Sequence, residues 1–312
     1  MSFAREVKEE ILNHTFSQEQ AKALLCGFIK YNGELIFTNK GFALKLTSTS
    51  NNIIRKIFSL LKEIYSGNID ISIVQTQKLN RDKVYELVLT DNIQEFLAKN
   101  YIYDIGNNVK IIEINLKNDH DNSLVRAYIS GVFIAIGSVN SPETTNYHLE
   151  FQTKELESAN YLKEILNSFE FDFKVINKRT KYICYAKKSL VVSDFLKFVD
   201  ASRAVMKFET TRINRDVSNN VNRMMNIDIY NQQKTLSAGS QQVKEIELIM
   251  EKRLFNELSE KAQKLATIRL ANRDASYSEL ELMMNETGIA ITKSGISNLF
   301  KIIKKLAESI GD

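Results

Sequence analysis

Near the end of this 312-residue chain, Lys293, Ser294, Ser297, Asn298 and Lys301 recur at three- and four-residue spacing, with Lys304 and Lys305 just beyond. On a helix that spacing gathers side chains on one face. Ammonium groups there hold phosphates, while an Asn amide and Ser hydroxyls bond base edges or backbone oxygens. From Thr287 to Ala307 there are four lysines and no acid. A second basic run extends from Lys178 to Arg223, where eleven Lys and Arg residues stand against four acids, a charge of +7. Arg203, Arg212, Arg215 and Arg223 are its candidate phosphate contacts. The whole chain carries only +4, so the remainder is net acidic. Such segregation points to a place where phosphates sit. Solvated helix faces are the competing explanation of the same runs.

Other chemistries are poorly provided for. Cys26 and Cys184 can form neither a disulfide framework nor a four-cysteine zinc site. His14, His120 and His148 lie far apart without metal-ligand spacing. No metal and no cofactor is expected. The composition, 44% apolar and 26% charged, suits a soluble protein of two or three domains with a real core. No run approaches the ~18 apolar residues of a membrane span. The start, MSFAREVKEEILNH, lacks the apolar stretch of a signal peptide, so a cytoplasmic, nucleoid-associated protein without membrane contact is expected.

The basic residues near the end need helices to position them. Gln241 to Met250 and Lys261 to Ala271 read as helices. Ser276 with Glu279 forms a capping box opening a third, with Leu280 and Met283 inward. Asn285 to Gly288 is a turn, and from Thr292 or Lys293 a last helix buries Ile296, Leu299, Phe300, Ile303 and Leu306. A short helix, a turn and a basic helix make a helix-turn-helix, with Ser276 and the lysine face as its DNA contacts. Upstream, residues 206–240 read as a basic linker, partly helical near Asn214–Met225.

The first two hundred residues repeat. Helices are predicted over 17–33, 51–65, 122–137, 155–169 and 190–199, with a short one capped by Asp91. Strands are predicted over 34–37, 42–46, 69–76, 83–89, 147–153, 173–177 and 182–186. LCGFIKYNG at Leu25–Gly33 matches ISGVFIAIG at Ile129–Gly137 in glycine spacing, and LKEIY at Leu61 is echoed by LKEIL at Leu162. The economical reading is a duplicated α-β-β-α-β-β-α unit. Gly27 and Gly131 would let the two equivalent helices approach backbone to backbone, while Gly33 and Gly137 serve as helix C-caps.

Those two glycine-bearing segments resemble the motifs of monomeric LAGLIDADG homing endonucleases. The resemblance implies a saddle of two sheets and, at the acid before the last motif glycine, a ligand for a catalytic divalent metal. Asn32 and Ile136 stand at those positions. A neutral amide and an aliphatic chain cannot supply the anionic oxygens that metal-assisted phosphodiester cleavage needs. Glu34, two residues on, has the apolar Val139 as its counterpart. No catalytic residue is therefore expected.

A degenerate scaffold of this kind joined to a helix-turn-helix resembles the WhiA family of bacterial transcriptional regulators. GVFIAIGSVNSPETTNYHLEF, KFETTRINRD, Asn219–Arg223, LSEKAQKLATIRLANRDASYSEL and TKSGISNLFKIIKKL carry the match across the chain. The second motif departs from better-known members, with Ala135-Ile136-Gly137 where they have a Gly pair. The resemblance implies an α+β fold: a duplicated endonuclease-like domain over 1–205, with halves at about 17–105 and 120–200, then an all-α domain over 241–312 similar to the promoter-reading domain of sigma factors. It also implies a non-enzymatic regulator of double-stranded DNA acting in cell division and chromosome segregation. Its alternatives are a protein-interaction scaffold, contacting another regulator or an RNA polymerase subunit, and a residual endonuclease.

Overall fold

Phe3, Val7 and Ile11, four residues apart, bury one edge of a helix not predicted above, α1 (Phe3–Ile11). Ser2 caps it by accepting from the Arg5 N–H. The computed structural model describes residues 2–39, 41–75, 83–104, 106–107, 109–113 and 122–311. Thr76 and His120 lie outside these. The chain divides into two compact units, Met1–Arg215 and Asp216–Asp312.

In the first unit, α2 (Gln18–Asn32) opens on the capping box of Ser17 and Gln20. It is followed by β1 (Glu34–Thr38), β2 (Gly41–Ser48), α3 (Asn51–Ile64), β3 (Ile69–Gln75), β4 (Lys83–Leu89) and α4 (Ile93–Lys99). Asn92, not Asp91, is the N-cap of α4. It sits at φ 51° with no side-chain cap, while Asp91 accepts from the Asn68 N–H. A minimal hairpin follows, β5 (Tyr103–Asp104) with β6 (Val109–Lys110). The second half repeats the first as α5 (Ser123–Ile136), β7 (Gly137–Val139), β8 (Leu149–Thr153), α6 (Leu156–Ser168), β9 (Lys174–Lys178), β10 (Lys181–Ala186) and α7 (Ser189–Phe198). The two main sheets have the same antiparallel order, β1-β2-β4-β3 and β7-β8-β10-β9. Duplicated sequence has given duplicated topology.

Leu44 opposite Leu89 and Leu46 opposite Leu87 form the inner face of the first sheet, and Phe151 opposite Cys184 forms that of the second. Both faces join α2 and α5 in one core. Gly33 and Gly137 do close their helices, but at φ −66° and −74°, so neither is a left-handed cap. Cys26 and Cys184 are buried free thiols.

Then comes α8 (Ser202–Glu251), fifty residues long. The stretch 206–240, read above as a linker helical only in part, is helical throughout. Ser202 to Glu251 contains no proline and one glycine, so nothing stops the helix even where no apolar face supports it. Its start is fastened from a distance: the buried Glu10 carboxylate accepts from the N–H groups of Arg203 (2.6 Å) and Ala204 (3.1 Å). The second unit continues with a 3₁₀ turn (Phe255–Glu257), α9 (Glu260–Ala271), α10 (Tyr277–Glu286) and α11 (Lys293–Gly311). Its core joins Ile246, Leu265, Leu280, Met284, Ile296, Phe300 and Ile303. Met284, not Met283, is the buried methionine of α10. Among the described residues, no helix is long and apolar enough to cross a membrane.

Candidate nucleic-acid interface

The turn between α10 and α11 is built from side chains that local sequence supplies. Ser276 Oγ accepts from the Glu279 N–H, and the Glu279 carboxylate accepts from the Ser276 N–H at 2.6 Å. Bonds from the Ser276 N–H and, next, from the Ser276 hydroxyl hold the Glu279 carboxyl below its ordinary pKa. Gly288, at φ +83°, ends α10 in a conformation that L side chains rarely adopt. Asn285 Oδ1 then accepts from the Ile291 N–H at 3.0 Å, and Thr292 Oγ1 accepts from the Gly295 N–H to start α11.

Helix α11 is divided lengthwise. Ile296, Phe300, Ile303 and Ala307 are buried. Lys293, Ser294, Asn298, Lys301, Lys304 and Lys305 are exposed, with Ser297 partly so, and Lys293 and Lys304 border the buried stripe. Lys304 pairs with Glu308 at 3.6 Å, while Lys293, Lys301 and Lys305 have no carboxylate partner among the described residues. A face of free ammonium groups with one amide and two hydroxyls matches what a major groove and its flanking phosphates offer. Ser276 is half-buried, its side chain committed to the cap with Glu279.

The longer basic run does not converge. Lys188 pairs with Asp172, Lys197 with Asp194 and Lys207 with Glu6. Arg212 donates two bonds to Glu209, at 2.6 and 2.9 Å. Arg215 donates to the Pro142 carbonyl and lies 5.4 Å from the Tyr147 ring. Arg203 is exposed and 3.7 Å from Glu10. Of the four arginines singled out, these three face protein groups, and Arg223 stands exposed.

In the first unit, α2 and α5 meet where the glycines are. A Cβ on Gly27 would stand 2.3 Å from the Tyr128 carbonyl oxygen, and one on Gly131 would stand 1.9 Å from that of Leu24. The contact is reciprocal, each glycine lying under the backbone of the other helix. Beside it, Asn32 Nδ2 donates to the Thr47 carbonyl (3.0 Å) and Oδ1 accepts from the Thr47 N–H (2.9 Å). The side chain thus pairs with β2 as a strand residue would, which uses its amide oxygen. Ile136 packs on the core, and Glu34 pairs with Lys45 at 2.9 Å. These residues do not fit a divalent cation.

Sequence pattern missed Arg269. It is fully buried on α9, and its guanidinium donates to the carbonyls of Asn272, Arg273 and Ala275 at 3.3, 3.2 and 2.7 Å. It also lies 5.4 Å from the Phe300 ring of α11. Burial lowers its pKa. One side chain therefore ties the loop before α10 to the helix that carries the lysines. Nothing in the local periodicity marks it, because an arginine one turn from a helix end usually signals solvent.

Three family models match along the chain: WhiA N-terminal LAGLIDADG-like domain over residues 18–103, WhiA LAGLIDADG-like domain over 125–218 and WhiA C-terminal HTH domain over 221–307. A protein of Enterococcus faecalis, named "Probable cell division protein WhiA", is 35% identical over 312 residues, covering 99% of this chain and 98% of its own. A protein of the same name from Lactobacillus acidophilus is 35% identical over 311 residues, covering 99% of each. Among solved structures, full-length DUF199/WhiA from Thermatoga maritima is similar over 100% of both chains, with 25% identity and a TM-score of 0.60.

Proposed function

The chain belongs to the WhiA family, and on that premise we propose that it is a DNA-binding transcription regulator acting in cell division and chromosome segregation. The observation that carries the reading is the divided surface of α11, with Lys293, Ser294, Asn298 and Lys301 exposed while Ile296 and Phe300 are buried. In this reading Ser276, Ser297, Lys304 and Lys305 add contacts at the edges of the same face. Arg223 adds a phosphate contact from α8. Arg203, Arg212 and Arg215 would first have to leave the protein groups they now face.

The chain does not cleave DNA in this proposal. Asn32 spends its amide on Thr47, and Ile136 has no ligand atom, so Asn32→Asp alone supplies at most one carboxylate. In magnesium buffer the full chain should retard a duplex carrying its site while leaving supercoiled plasmid intact, and Asn32→Asp should nick no more than wild type. Retardation of no duplex, or magnesium-dependent nicking, contradicts the proposal. A protein-contact role for the duplicated domain is favoured by exposed Phe37, Phe42, Ile71 and Ile73 around the first sheet, which suit a protein surface better than phosphates. Another regulator or a polymerase subunit fits that role.

A further inference from the structure

A cavity of about 470 Å³ lies in the first unit at the C-terminal ends of α2 and α5, beside the start of α1. Arg5, Lys8, Asn32, Ser48, Thr49 and Ser138 are among the residues that line it, and no Asp or Glu is. Arg5 is already answered by Glu9 at 2.8 Å, and Glu9 accepts further bonds from Ser50 and Asn52. Lys8 is different. It has no carboxylate partner among the described residues, and its nearest compensation is the Phe133 ring at 5.7 Å.

We propose that this cavity binds a phosphate-bearing small molecule of mononucleotide size, with Lys8 as its anion contact and Ser48, Thr49 and Ser138 as hydrogen-bond donors. An enclosed ammonium without a counter-charge is costly, and an oxyanion relieves that cost. Burial already lowers the Lys8 pKa to about 8, as expected of a cation waiting for a partner. Ser48 Oγ accepts from the Ser50 N–H, which leaves its own proton to donate. The volume falls within the roughly 300–1,000 Å³ of small-molecule sites. A DNA phosphodiester shares the oxyanion chemistry, so the test must separate the two sources.

Calorimetric titration of the full chain with inorganic phosphate, ribose 5-phosphate and AMP is the measurement, alongside binding of a duplex. Lys8→Gln should weaken AMP by about ten- to a hundredfold, the worth of one charged hydrogen bond, and leave duplex affinity unchanged. Ser138→Asp puts a carboxylate at the partly exposed rim and should weaken AMP similarly while leaving the core intact. The proposal fails if none of the three probes gives heat with wild type, or if both variants bind AMP as wild type does. It also fails if Lys8→Gln weakens the duplex instead, which would assign the cavity to DNA.

Discussion

The Asn32 side chain is a structural clip, its amide donating to the Thr47 carbonyl and accepting from the Thr47 N–H. That position was legible because its neighbours in LCGFIKYNG carry the motif. Lys30, two residues before it, was not. It is a fully buried lysine whose ammonium donates to the Ile112 carbonyl at 2.8 Å. Its burial holds the pKa down to about 8, against 10.5 when free. Between those values the unfolded chain holds a proton that the folded one has released, so Lys30 makes stability rise with pH, by at most about 1.4 kcal/mol per unit. Cys26 and Cys184, pushed up by burial to about 11 and 12, act in the opposite sense above about pH 9, where the unfolded chain loses its thiol protons first. Wild type should therefore gain stability relative to Lys30→Met between about pH 8 and pH 9 in urea titrations. A stability difference that stays flat across that window contradicts the assignment.

Elements were legible where apolar spacing and caps agreed. The apolar face of Ile53, Ile54, Ile57 and Leu61 placed α3, the echo of LKEIY in LKEIL marked α6 as its counterpart, and Ser276 with Glu279 placed α10. Helix α1 was missed although Phe3, Val7 and Ile11 give it an apolar face, whereas the other failures arose because an apolar face was the signal sought. Most of α8 has none and is helical because nothing breaks it, while β5 and β6 are two residues each, too short to show alternation. Duplication also predicts where the fold is least tolerant. Gly131 lies under the Leu24 carbonyl, so Gly131→Ala must push α2 and α5 apart or bend one of them. The destabilisation should be at least about 1–3 kcal/mol, the usual cost of overpacking. Equilibrium unfolding of Gly131→Ala at wild-type stability would mean that the two helices are not held as closely as described.

At the scale of the whole molecule, the distribution of charge says more than its sum. A net +4 is unremarkable, but four lysines and no acid from Thr287 to Ala307 concentrate positive charge on one helix, and the unit that carries it is the one matched by the HTH model. The run from Lys178 to Arg223 looked stronger in sequence and is weaker in three dimensions, because Asp172, Glu6 and Glu10, all outside it, pair with its Lys188, Lys207 and Arg203. Local charge counts cannot see partners distant in sequence. The central claim, that α11 is the surface that meets DNA, is tested most directly by the salt dependence of duplex affinity for the full chain and for Lys293→Glu with Lys301→Glu. Each ammonium–phosphate pair that the variant removes should lower the slope of log affinity against log salt by about one. The double variant should therefore show a slope shallower by about two and bind much more weakly at low salt. An unchanged slope and affinity, in a variant that melts as wild type does, would place the DNA elsewhere on the molecule.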